Sequence, residues 1–60
     1  MKTYTFKKTG NQYEVLEESA EMKNPITRNW EKCVIYKSLD SGKIYVREET
    51  DFREKFIRND

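Results

Sequence analysis

Sixty residues with one cysteine and no histidine confine this chain to a single small domain, with no disulfide staple and no histidine-based zinc site. Charged side chains (38%) outnumber apolar ones (35%), so the core is small and a homo-oligomer is expected as the remaining way to bury apolar surface. The 12 basic and 11 acidic groups are interspersed to a net charge of +1. That argues against the basic stripe of a duplex-binding protein while leaving room for a local pocket that holds one or two phosphates.

Tyr4 and Phe6 alternate with Thr3, Thr5 and Lys7, which predicts a first strand, and Thr9-Gly10-Asn11 supplies residues able to turn with positive φ. The opening Met1-Lys2-Thr3-Tyr4 leads into this pattern, not into the apolar segment of a signal peptide, and no apolar run is long enough to span a bilayer. A cytoplasmic protein without a membrane partner is therefore expected, and the lone Cys33 suits a reducing setting. A second strand follows, with Tyr13 and Val15 on one face and Leu16 on the other, although Tyr13, Leu16 and Ala20 also fit one face of a helix. Strand is the preferred reading. From Ser19 to Asn29 the apolar pattern thins and Asn24-Pro25 forces a turn or extended backbone, so a long loop is expected there, exposing Met22, Lys23 and Arg28.

Trp30 to Leu39 reads as a central strand, with Cys33, Ile35 and Leu39 on one face and Trp30, Val34 and Tyr36 on the other. Asp40-Ser41-Gly42 predicts a hairpin turn that Asp40 opens and in which Gly42 takes the left-handed position. In the strand that follows, Ile44 and Val46 are expected to face inward and Tyr45 and Arg47 outward. Thr50 or Asp51 then caps a short helix, with Glu54 as capping-box partner of Asp51, and Phe52 and Phe56 plug an open end of the sheet. The expected fold is mainly β: a small, strongly bent antiparallel sheet or SH3-like barrel of four to five strands with a short C-terminal helical turn, all within residues 1–60.

Tyr13-Glu14-Val15-Leu16, Val34-Ile35-Tyr36-Lys37-Ser38-Leu39, Tyr45-Val46-Arg47 and Phe52 together resemble a family of short bacterial and phage proteins, the domain-of-unknown-function family sixteen-fifty-three. The likeness spans residues 10–57. Tyr45 stands where that family usually has tryptophan, Glu48 replaces its proline, and residues 17–29 lack its His-rich, Gly-containing link. The resemblance implies an SH3-like bent sheet and no established activity.

Catalysis is disfavoured by the side chains present. There is no imidazole base, Cys33 has no evident activator, and the neighbouring pairs Glu17-Glu18 and Glu48-Glu49 would point to opposite faces of a strand. No cofactor is called for. Binding remains. Tyr36, Trp30 and Tyr45 offer flat faces for a base, and Arg47, Arg28 and Lys37 offer charge-assisted donors for phosphate. For each of these aromatics the preferred reading is a sheet-building residue, whereas Arg47 calls for either a structural carboxylate or a ligand. The favoured expectation is sequestration, without turnover, of a small anionic signal of the cyclic oligonucleotide type in pockets between subunits, by analogy with short phage proteins that blunt host immune signalling. The rival is a host protein bound through a sheet edge and the 19–30 segment, with Met22, Ile26 and Trp30 as anchors. Single-stranded nucleic acid is a weaker alternative.

Overall fold

The computed structural model describes residues 2–59, so Met1 lies outside the described residues. Five strands form one antiparallel sheet, β1 (Lys2–Phe6), β2 (Gln12–Lys23), β3 (Trp30–Ser38), β4 (Ile44–Glu48) and β5 (Phe56–Arg58), with a single helix, α1 (Glu49–Lys55), between the last two. The strand order is β4-β3-β2-β1-β5. The sheet is open, with β4 and β5 as its edges.

Alternation selects the inner face. Tyr4 opposes Tyr13, Val15 opposes Tyr36, Tyr36 opposes Tyr45, and Phe6 opposes Phe56, which puts an aromatic from every strand on one side. Phe52 of α1 closes over this surface, and Val34, Tyr36, Phe52 and Phe56 form the buried cluster on which Tyr4, Phe6, Tyr13 and Val15 pack. Phe52 and Phe56 stack at 4.1 Å between ring centroids, and Tyr36 meets both at 5.2 Å. Spacing i, i+4 carries this stack across the end of the helix, so the two phenylalanines seal the bent sheet as expected from the sequence.

β2 is longer than expected. The segment read as a loop from Ser19 continues as strand to Lys23, paired with β3 down to Lys23↔Trp30. Register shifts between Val15 and Glu17 and between Glu17 and Ala20 are β-bulges, which break the period of two and conceal the strand in the sequence. Because β1 pairs only with Gln12–Val15 and β4 only with Cys33–Lys37, the far ends of β2 and β3 project as a two-stranded ribbon. Asn24 closes its tip: the Asn24 Oδ1 accepts from Ile26 N at 2.9 Å and from Thr27 N at 3.3 Å, and its carbonyl accepts from Arg28 N at 2.7 Å. Arg28 itself sits in the left-handed region at φ 63°.

Three further expectations are corrected. Ile44 and Val46 face outward and are half exposed or more, while Tyr45 and Arg47 face the core side, because Tyr36 offers a ring to stack on and a hydroxyl to bond. The β3–β4 turn is opened by Ser38 and not by Asp40: the buried Ser38 Oγ accepts from Asp40 N and Ser41 N at 3.2 and 3.1 Å. Gly42 does take the left-handed position, at φ 77°. The helix N-cap is Glu48, whose carboxylate accepts from Thr50 N and Asp51 N at 3.0 and 3.1 Å; its longer side chain reaches these amides from two residues before Thr50 and three before Asp51, the expected caps.

These bonds make stability acid-sensitive. The amides of Thr50 and Asp51 hold the Glu48 carboxyl below the usual carboxylate range, and Lys55, then Arg47, do the same for Asp51. Both folded pKa values lie below the unfolded ones. The resulting stabilisation is therefore complete above about pH 4 to 4.5 and is lost as pH falls through the folded values. Thermal melts should show a lower Tm at pH 3 than at pH 6, with the drop reduced in Asp51→Asn. An equal drop in that variant would mean that the Asp51 ion pairs play no part in it.

Candidate functional site

The inner face is not wholly filled by the core. Beyond the Phe52–Phe56 stack, toward β4, it opens into a cavity of about 150 Å³ lined by Phe6, Tyr13, Tyr36, Tyr45, Arg47 and Phe56. Tyr45 stacks on Tyr36 at 5.6 Å with 27° between the planes, and the residue remains 40% exposed. Tyr13 meets Tyr36 edge-on at 5.4 Å.

Arg47 forms the wall of this cavity. Its Nε donates to Tyr36 Oη at 3.1 Å and its Nη1 donates to Asp51 Oδ2 at 2.7 Å. The guanidinium carbon lies 5.6 Å from the ring centres of both Phe6 and Phe56. These bonds, to Tyr36 first and Asp51 second, raise its already high pKa, so the guanidinium stays charged. Of the two partners the sequence offered for Arg47, a structural carboxylate or a ligand, the structure supplies the carboxylate, Asp51. The two bonds use only part of the five-donor fork, and the cation at a cavity wall retains donors for an anion.

A second concavity, of about 350 Å³, shares Phe6 and Arg47 with the first and adds Lys7, Lys8, Glu54 and Lys55. Lys55 is paired with Asp51 at 2.9 Å. Among the described residues Lys7 and Lys8 have no ion pair. Four cations therefore surround an opening that carries one carboxylate, Glu54, on its lining. Loop geometry brings them together: Lys7 N donates to Lys55 O at 2.9 Å, and Gly10, at φ 79°, turns the chain back toward β2. Neither lysine was singled out in the sequence, although Lys7-Lys8 directly before the Thr9-Gly10 turn is a readable signal of paired cations at a strand end.

Comparisons with protein-family models, with curated proteins and with solved structures return no match.

Of the sequence-derived candidates, Arg47, Tyr36 and Tyr45 converge on this cavity. Lys37 does not: it lies on the opposite face, where its Nζ is 3.8 Å from Glu14 Oε1 across the β2–β3 pair. Trp30 and Arg28 are at the ribbon tip, and Trp30, six residues along β3 from Tyr36, is separated from it by roughly 20 Å. Met22 pairs with Glu31 and Trp30 with Lys23, so Met22 and Trp30 project from opposite faces of the ribbon and do not form one anchor patch. Trp30 is 64% exposed. Trp30→Ala is therefore expected to leave Tm within about 4 °C of the parent, as for surface substitutions generally. A larger loss in a thermal melt would show that the ring is part of the core.

Among the described residues there is no cluster of three or more His, Cys, Asp or Glu side chains placed to hold a metal ion, and no helix is long and apolar enough to cross a membrane.

Proposed function

We propose that this protein is a non-catalytic binding module that takes up a small anionic ligand of the nucleotide type on its inner face, with Tyr45 stacking on the base and Arg47, Lys7 and Lys8 receiving phosphate. The observation that carries this reading is the adjacency of the two concavities, one with an aromatic floor and one with a basic rim, joined through Phe6 and Arg47. A base presents a flat face to an aromatic ring, and its phosphates need charge-assisted donors a few ångströms away. The smaller cavity alone is below the roughly 300 to 1,000 Å³ typical of small-molecule sites; the basic one reaches the lower end of that range.

Catalysis finds no support at the site. The side chains gathered there are tyrosines, phenylalanines, lysines, one arginine and one glutamate, and Asp51 is committed to Arg47 and Lys55. Such a set retains a ligand without supplying a nucleophile activated by a base. Sequestration of a cyclic oligonucleotide signal is the biological role that this reading assigns to the site.

Calorimetric titration with cyclic dinucleotides, cyclic trinucleotides and nucleoside mono- and diphosphates tests the proposal. Binding of at least one of them, weakened by added salt and by the double charge reversal Lys7→Glu/Lys8→Glu, is the expected result. No heat and no shift in Tm with any member of the panel would overturn it.

A further inference from the structure

β4 is the longer of the two edge strands of the sheet. Edge strands are usually kept short, interrupted by proline or covered, yet β4 has no proline and its outward Ile44 and Val46 are 62% and 50% exposed. The opposite edge, β5, has only three residues. Ser38 N donates to Lys43 O at 2.9 Å, so Ser38 and Lys43 are a hydrogen-bonded pair. Alternation along the ladder then turns the backbone groups of Tyr45 and Arg47 toward β3, and those of Ile44, Val46 and Glu48 toward solvent.

We infer that a second copy of this chain occupies that edge, its β4 antiparallel to the first about a two-fold axis at Val46. The free backbone groups restrict two-fold pairings to those centred on a single residue; centring on Ile44 or Glu48 leaves half of β4 opposite turn or helix residues, and charge decides among the other three. Centring on Tyr45 would set Arg47 against the partner's Lys43, and centring on Arg47 would oppose the two guanidinium groups. Centring on Val46 pairs the whole of β4 with its copy and sets Tyr45 against the partner's Arg47 on the inner face, while the two Val46 side chains meet on the outer face. Each cavity is then extended at its β4 side by a cation from the other subunit, and two cavities lie side by side across the axis. This arrangement deepens the proposed nucleotide-type binding and rests on it only for the ligand. It suits an anion with two phosphates placed symmetrically.

Sedimentation velocity over a concentration series, without added ligand, tests the pairing. The parent protein should sediment as a dimer. Val46→Pro removes one outward N–H from each strand while leaving the β3 ladder intact, and should weaken the dimer roughly ten- to hundred-fold with an unchanged circular dichroism spectrum. Val46→Cys supplies the second test: Cα atoms in a hydrogen-bonded pair stand about 5.5 Å apart, within disulfide range, so mild oxidation should yield a covalent dimer. The parent, which retains the buried Cys33, should give none. A parent that stays monomeric, a folded Val46→Pro that dimerises like the parent, or a Val46→Cys that does not cross-link each overturns the inference. A monomer that still binds nucleotides leaves the proposed function standing, and a dimer that binds none removes only that function.

Discussion

Phe52→Ala should unfold the domain at ordinary temperatures. Phe52 is 3% exposed and touches three aromatic rings, Phe56 at 4.1 Å, Tyr4 at 5.1 Å and Tyr36 at 5.2 Å. Deleting a buried phenylalanine side chain costs about 3 to 5 kcal/mol. A 60-residue chain that buries only about 60% of its unfolded surface has a comparable total stability. The ring is also the contact by which α1 and the sheet share a core, so its loss frees the helix as well as opening a cavity. Far-ultraviolet circular dichroism with temperature reads this directly: the parent should melt cooperatively, and the variant should show no transition or one lowered by tens of degrees. A variant that melts within a few degrees of the parent would mean that the sheet is stable without its helical plug. Phe52→Leu, which keeps most of the volume, should be intermediate.

Replacing Arg47 is the second large effect, and it divides into two parts. Arg47→Ala removes the donors to Tyr36 Oη and Asp51 and leaves Lys55 as the remaining cation on Asp51. Stability should fall by about 1 to 3 kcal/mol, the range for losing charge-assisted hydrogen bonds. Affinity for the nucleotide-type ligand should fall further, by about a hundred-fold, because a ligand phosphate would lose its planar fork in a partly enclosed site. Arg47→Lys separates the two effects. The point charge survives, but no single ammonium reproduces the Nε bond to Tyr36 together with the Nη1 bond to Asp51, so affinity should fall about ten-fold with a small loss of Tm. Equal affinity in the parent and both variants, with Tm falling, would assign Arg47 to the architecture alone.

Each segment is legible in the sequence to the extent that its local physics is unambiguous. Hairpin turns were legible because Gly10 and Gly42 occupy positive φ, which most other residues avoid. β3 was legible because a strand with apolar groups on both faces has to lie inside a sheet, and it does, between β2 and β4. The Phe52/Phe56 plug was legible from its i, i+4 spacing. β4 was misread for a reason intrinsic to strands: Ile44-Tyr45-Val46-Arg47 alternates in either phase, and hydropathy favours the aliphatic one. The core of this protein is aromatic, and stacking with a tyrosine hydroxyl inside it reversed the preference. The second half of β2 was hidden by its polar Glu-Glu-Ser-Ala-Glu-Met-Lys sequence and by bulges that break the alternation.

At the site, Arg47, Tyr36 and Tyr45 were identifiable because arginine beside aromatics in a strand demands a partner. Trp30 and Arg28 were grouped with them by residue type, which carries no distance. Only the extended β2–β3 ribbon separates them. Lys7-Lys8 and Lys55 come from two places that meet solely because β5 returns beside β1, a pairing that no local pattern encodes.

Amide chemical-shift mapping of the parent protein with a cyclic dinucleotide tests the central claim most directly, since it reports where a ligand sits as well as whether it binds. Saturable shifts at Phe6, Lys7, Lys8, Tyr45 and Arg47, with the ribbon tip around Arg28 and Trp30 unmoved, are the predicted result. Shifts confined to the ribbon, or none with this ligand or with the cyclic trinucleotides and nucleoside phosphates, would contradict it.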